Sequence, residues 1–130
     1  LRKRFSLPFD YKGFDHQPTL EECKCLVRLY LESGEANVPD NMKAEWRRIL
    51  DATVDSFSHN ECYIYIEGIR HSMEVKGGLQ SGIRLTSLVG NFWNQTMSEI
   101  ARNLADPGHL EIKTIYIRGD DSSIIAASYF

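Results

Sequence analysis

Apolar residues recur at helical spacing in three stretches of the chain, and the stretches between them read as strands. Leu20, Cys23, Val27, Tyr30 and Leu31 follow Thr19-Leu20-Glu21-Glu22, which has the Ser/Thr-x-x-Glu form of a helix capping box, and Ser33-Gly34 ends the pattern. A second helix is expected from Asp40 through Trp46, Ile49, Leu50 and Val54 to Phe57, with Ser58-His59-Asn60 as its breaker. A third runs from Ile83 to Leu104 on Leu85, Leu88, Val89, Phe92, Trp93, Met97 and Ile100, and Asp106-Pro107-Gly108 stops it. Residues 5–11 read as a strand in which Pro8 forfeits one ladder donor. Residues 63–67 and 69–75 read as two strands hinged at Gly68, and residues 112–118 and 122–127 flank Gly119-Asp120-Asp121 as a closing hairpin. Strand, helix, helix, hairpin, long helix, hairpin is an α+β order. Its economical arrangement is ferredoxin-like, an antiparallel sheet with helices packed on one face.

Bulk properties narrow the class. The chain of 130 residues is expected to form one domain, and 42% apolar with 25% charged residues is an ordinary globular balance. No apolar run reaches the length of a membrane span. Cys23, Cys25 and Cys62 are odd in number and lack zinc-site spacing, which suits a reducing compartment. The net charge of −3 does not advertise nucleic-acid binding, although charge distribution matters more than the total. The chain opens on Arg2-Lys3-Arg4 and closes on Ser128-Tyr129-Phe130 in strand-like runs, so it is expected to be a segment of a longer polypeptide.

Two features carry candidate chemistry. Asp10 closes the first strand, and Asp120 and Asp121 sit in the expected final turn. Adjacent acids on a rigid turn repel one another unless a cation lies between them. If the first strand lies beside the closing hairpin, Asp10 faces Asp120, and such a pair of carboxylates is a hard-oxygen donor set for Mg²⁺. Two ions about 4 Å apart would stabilise both the attacking and the leaving oxygen of a phosphoryl displacement. The second feature is the glycine-rich run of residues 77–82, in which Ser81 is a good N-cap for the helix that follows. A helix N-terminus favours an anionic group, and polar Thr86, Asn91 and Asn94 lie one to two turns on.

Taken in order, these segments resemble the palm of viral RNA-dependent RNA polymerases. That family's motif A, Asp-x4-Asp after a strand, is matched by Asp10-Tyr11-Lys12-Gly13-Phe14-Asp15. Its motif B, Ser-Gly-x3-Thr followed by asparagines, is matched by Ser81-Gly82-Ile83-Arg84-Leu85-Thr86 and Asn94. Its motif C, Gly-Asp-Asp in a hairpin, is matched by Gly119-Asp120-Asp121. Ser-Gly-x-Arg-x-Thr with a Trp-Asn pair downstream is most similar to polymerases of totivirus-like double-stranded RNA viruses.

The resemblance implies that Asp10 and Asp120 hold two Mg²⁺ (or Mn²⁺) ions with Asp121 assisting. It implies that Asp15 senses the ribose 2′-hydroxyl together with Thr86 and an asparagine of the motif B helix. Ser81 and Gly82 would form the loop that contacts template and nucleotide, with Arg84 nearby under the narrower pattern only. Two positions depart. The family's first motif B asparagine falls at Gly90, and Asn91, one residue on, is turned by about 100°, so Asn94 is the safer match. Asp15 stands where the totivirus-like group usually has Asn. RNA template and product, nucleoside triphosphates, the fingers and thumb of the same polypeptide and viral capsid proteins are the implied partners, in a virion interior or host cytoplasm. The implied fingers, thumb and basic nucleotide channel are not in these 130 residues, so the segment alone is expected to be inactive.

Two alternatives remain open on the residues. A non-catalytic ferredoxin-like RNA-binding module would read RNA through sheet aromatics, whereas this chain puts acids at the centre of its expected sheet. A metal-dependent phosphohydrolase or nuclease would use the same acids but has no need of the motif B loop. His16, His59, His71 and His109 lack ligand spacing, Trp46, Phe92 and Trp93 are expected in the core, and Tyr63 and Tyr65 on a half-buried sheet face.

Overall fold

The computed structural model describes residues 2–80, 84–104 and 110–129. It is α+β, with antiparallel sheets and three α-helices, and it divides into two compact units. One comprises residues 1–14 and 82–130, the other residues 15–81.

The first unit is a three-stranded antiparallel sheet with one long helix. Strands β1 (Arg2–Phe9), β4 (Leu110–Arg118) and β5 (Asp121–Tyr129) lie in the order β1-β5-β4, and helix α3 spans Thr86–Leu104 and packs against β4. β1 pairs only with β5, so it is an edge strand, and there Pro8 can lack its ladder donor. Cross-strand pairing fixes the faces. Ser122, Ile124 and Ala126 align with Ile117, Ile115 and Ile112 of β4 and with Phe9, Leu7 and Phe5 of β1, an apolar face. Asp121 and Ser123 align with Arg118, Tyr116 and Pro8 on the opposite, polar face. An irregularity between Ile112 and Thr114 keeps this alternation in phase. Val89 and Trp93 of α3, Phe14 and Ala126 are buried, as is Ala127 on the opposite sheet face, while Phe5 and Leu7 stay exposed.

The second unit pairs helices α1 (Leu20–Gly34) and α2 (Lys43–Ser56) over Cys23, Val27, Leu50, Val54, Phe57 and Leu79. Ion pairs Arg28–Asp51 at 3.2 Å and Arg47–Glu35 at 2.8 Å lace its surface. Burial pushes the Cys23 thiol up, and all three cysteines are free. The expected capping box is present: the Thr19 hydroxyl accepts from the Glu22 amide at 3.2 Å, and the Glu22 carboxylate accepts from the Thr19 amide at 3.0 Å. Thr19→Ala is therefore expected to lower the stability of this unit by about 1 kcal/mol, with Thr19→Ser restoring it, as read from thermal melting.

Three expectations are corrected. α3 begins at Thr86 rather than Ile83, and the Leu85 carbonyl accepts from the Val89 amide. The N-cap position is thus Leu85, and a β-branched threonine opens the helix. Asp121 is the first residue of β5, paired with Arg118, and only Gly119-Asp120 makes the turn. The hairpin of β2 (Glu61–Ile66) and β3 (Ile69–Glu74) is a separate two-stranded sheet, exposed along its whole length. Tyr63 and Tyr65 stand in solvent, ring against ring, with Arg70 over Tyr63. Trp93 is buried as expected, but Phe92 is partly exposed and Trp46 only half-buried.

Candidate functional site

The site is built where β1 ends beside the β4–β5 turn. Phe9 is the last paired residue of β1 and sits opposite Ser122, so the next residue, Asp10, comes beside Asp121. Across the hairpin Arg118 pairs with Asp121, which closes the loop on two residues. Gly119 has φ +63° and Asp120 is not among the positive-φ residues, the glycine-first pattern of a tight hairpin connection. One carboxylate oxygen from each of Asp10, Asp120 and Asp121 lies within 4.8 Å of the others, and all three side chains are exposed.

Three carboxylates at that separation repel by about 0.9 kcal/mol per pair in bulk water, and by more near a protein surface. A cation removes that cost. The donor set is all carboxylate oxygen, with no thiolate or imidazole, which suits Mg²⁺ or Mn²⁺ and not the softer metals. Beside the acids lies an open concavity of about 550 Å³, lined by Pro8, Phe9, Tyr116, Arg118 and Ser123 among others. Its Arg118 is exposed and stands across from Asp121, a cation and an anion on one sheet face.

An aromatic cluster fixes the approach to Asp10. Tyr11 packs its ring on Phe9, Phe14 and Trp93 at centroid distances of 5.6, 5.4 and 5.7 Å, and Phe14 meets Trp93 at 5.5 Å. The segment carrying Asp10 is thereby tied to α3.

Asp15 lies in the second unit, in the short helical turn Phe14–His16, and is exposed. Its carbonyl accepts from the Leu79 amide at 2.6 Å, while the Gly78 amide donates to the Pro18 carbonyl at 3.1 Å. Gly78 has φ +80°, and a Cβ there would lie 2.8 Å from the Asp15 carbonyl oxygen. With no Cβ, Gly78 lets another stretch of backbone come this close, and the approaching chain is the segment bearing Asp15. Ser81 and Gly82 lie outside the described residues. Arg84 is exposed in the turn before α3, and Thr86 is half-buried at its first residue.

Asn91 and Asn94 of α3 both reach the Gly-Asp-Asp turn. Asn91 Oδ1 accepts from the Gly119 amide at 2.6 Å. Asn94 Nδ2 donates to the Gly119 carbonyl and to Ser122 Oγ, each at 2.8 Å, and its Oδ1 accepts from Ser98 Oγ at 3.1 Å. Asn94 is 0% exposed, so the ribose contact expected of it has no free atom on the surface. Gly90, at the position of the first motif B asparagine, is buried in α3. Ser98, Ser122 and Arg118 were not singled out in the sequence. The signal for Arg118 was there in the strand alternation, two residues after Tyr116 and next to the turn. For Ser98, helical spacing from Asn94 was the one available sign.

No curated protein and no solved structure matches the chain significantly. The family model described as "Viral RNA-directed RNA-polymerase" matches residues 1–129. That match spans the acidic turn, the strand end that meets it and the helix whose asparagines grip it, and the chain therefore belongs to the viral RNA-directed RNA polymerases.

Proposed function

We propose that this chain is the catalytic palm of its polymerase, transferring a nucleoside monophosphate from a nucleoside triphosphate to an RNA 3′-hydroxyl during viral genome replication and transcription. The observation that carries the reading is the convergence of Asp10, Asp120 and Asp121, from opposite ends of the chain, within 4.8 Å of one another. Asp10 and Asp120 hold two divalent ions, Mg²⁺ or Mn²⁺, and Asp121 assists. When bound, the ions supply charge neutralisation at the attacking and leaving oxygens. The residues' own contribution is position: the β1–β5 register brings Asp10 to the turn, and the paired strands keep the acids from spreading. Asp15 and Thr86 contact the ribose, and Ser81 and Gly82 form the loop at template and nucleotide. Arg84 adds a template or nucleotide contact. The Asp15 role is supported by the backbone hydrogen bonds of Leu79 to Asp15 and of Gly78 to Pro18, which tie the leading end of the loop to the segment bearing that acid.

Ser81-Gly82-x-Arg84-x-Thr86 favours a totivirus-like, double-stranded RNA virus, with RNA, nucleoside triphosphates, fingers, thumb and capsid proteins as partners in a virion interior or host cytoplasm. No helix among the described residues is long and apolar enough to cross a membrane. The segment alone is expected to be inactive.

The test is an end-labelled RNA primer annealed to a template, incubated with the intact polypeptide, nucleoside triphosphates and Mg²⁺. Stepwise lengthening that stops on chelation is expected. Shortening of the primer would instead establish the nuclease reading, and metal-independent retention with neither change the RNA-binding module.

A further inference from the structure

We propose that Asn91 and Asn94 are positioning residues that clamp the acidic turn from beneath and so set the spacing of its metal-binding carboxylates. This rests on the metal reading of Asp10, Asp120 and Asp121. The two asparagines are three residues apart on α3 and therefore on one face of it. Between them they take both backbone groups of Gly119, Asn91 its amide and Asn94 its carbonyl. Asn94 also holds Ser122 Oγ. The gripped residues bracket the acids: Gly119 comes just before Asp120, and Ser122 just after Asp121.

Each side chain is the right one for its task. Only a primary amide can donate twice, to a carbonyl and a hydroxyl, while accepting from a third group, and Asn94 does all three with no atom left over. Its complete burial means that α3 and the turn are joined without intervening solvent. Asn91 needs only an acceptor. With one acid in the two-residue turn, a second opening β5 and a third alongside, like-charge repulsion pushes the tip open, and a grip on the Gly119 backbone before the acidic pair and on the Ser122 hydroxyl after it opposes that. The motif B asparagines thus act on the metal ligands through the turn.

The experiment is Mn²⁺ binding to the intact polymerase without nucleotide, read from the loss of the free-ion electron paramagnetic resonance signal, alongside ribo- versus deoxyribonucleotide selection. Outer partners of metal ligands are typically worth 10–100-fold in affinity. Asn94→Ala and Asn91→Ala are each expected to weaken Mn²⁺ binding by about tenfold or more. Asn91→Asp, which keeps the acceptor, is expected to restore binding to within about threefold of the parent. Unchanged Mn²⁺ affinity in both alanine variants, with altered sugar selection, would overturn the clamp and restore the ribose contact. Absence of Mn²⁺ binding by the parent protein would instead overturn the metal reading beneath it. If Asn94→Ala fails to fold, the exposed Asn91 pair of variants decides alone.

Discussion

Asp10→Asn in the intact polymerase is expected to lower the rate of nucleotide incorporation by about 10³-fold or more, roughly 4 kcal/mol of lost transition-state stabilisation. The same substitution is expected to leave the melting temperature of the metal-free protein unchanged or slightly raised. Both halves follow from one geometry. The three carboxylates are exposed and within 4.8 Å of one another, so none contributes burial energy, and in the absence of a cation each repels the other two. Asparagine keeps the shape and removes the charge. A structural acid would behave in the opposite way, costing stability while sparing the rate. Asp120→Ala is expected to show the same loss of synthesis with the fold kept, and Asp121→Asn a smaller one. Stopped-flow incorporation and differential scanning calorimetry together decide. Retained synthesis in Asp10→Asn or Asp120→Ala would remove that residue from the metal set.

Trp93→Ala is expected to have the largest effect on stability, about 3–5 kcal/mol, as for other buried large aromatic residues. Trp93 is 5% exposed and contacts the rings of both Tyr11 and Phe14. Removing it opens a cavity where α3 meets the chain that follows Asp10, and it releases the Tyr11 ring from its third aromatic neighbour. The loss therefore reaches the site: Asp10 directly precedes Tyr11, and a freed Tyr11 lets the carboxylate drift from the turn. Trp93→Phe keeps most of the volume and is expected to cost less than half as much. Denaturant unfolding of the intact protein measures the first quantity and Mn²⁺ affinity the second. A cost below about 1 kcal/mol for Trp93→Ala would show that the cluster collapses around the gap rather than supporting Asp10.

Much of this was present in the local sequence. Thr19 and Glu22 cap α1 because the groups that satisfy the first helical amides are three residues apart, a relation the chain carries without any tertiary partner. Gly119 marks the β4–β5 turn because that tight connection needs positive φ at its first residue. The alternation of Ile112, Ile115 and Ile117 with Thr114, Tyr116 and Arg118 assigns one apolar and one polar face once the irregularity at residue 113 is allowed for. The order of the acids, the glycine-rich loop and the Gly-Asp-Asp turn was sufficient to suggest the family.

The sequence alone determined which residues are candidates; the tertiary structure decided which of them meet. Asp10 reaches the turn only because β1 joins the sheet at β5 in the register Phe9 to Ser122, and a slip of one residue would send it to the other face. Pro8 in that strand likewise depends on edge position, which neighbouring residues do not encode. The asparagines show the same limit most clearly. Their spacing on α3 puts them on one side of a helix, but whether that side meets a nucleotide or the Gly119 backbone depends on how the helix lies on the sheet. Helical periodicity fixes the angle between side chains about their own axis, whereas the orientation of that axis comes from contacts between residues distant in sequence.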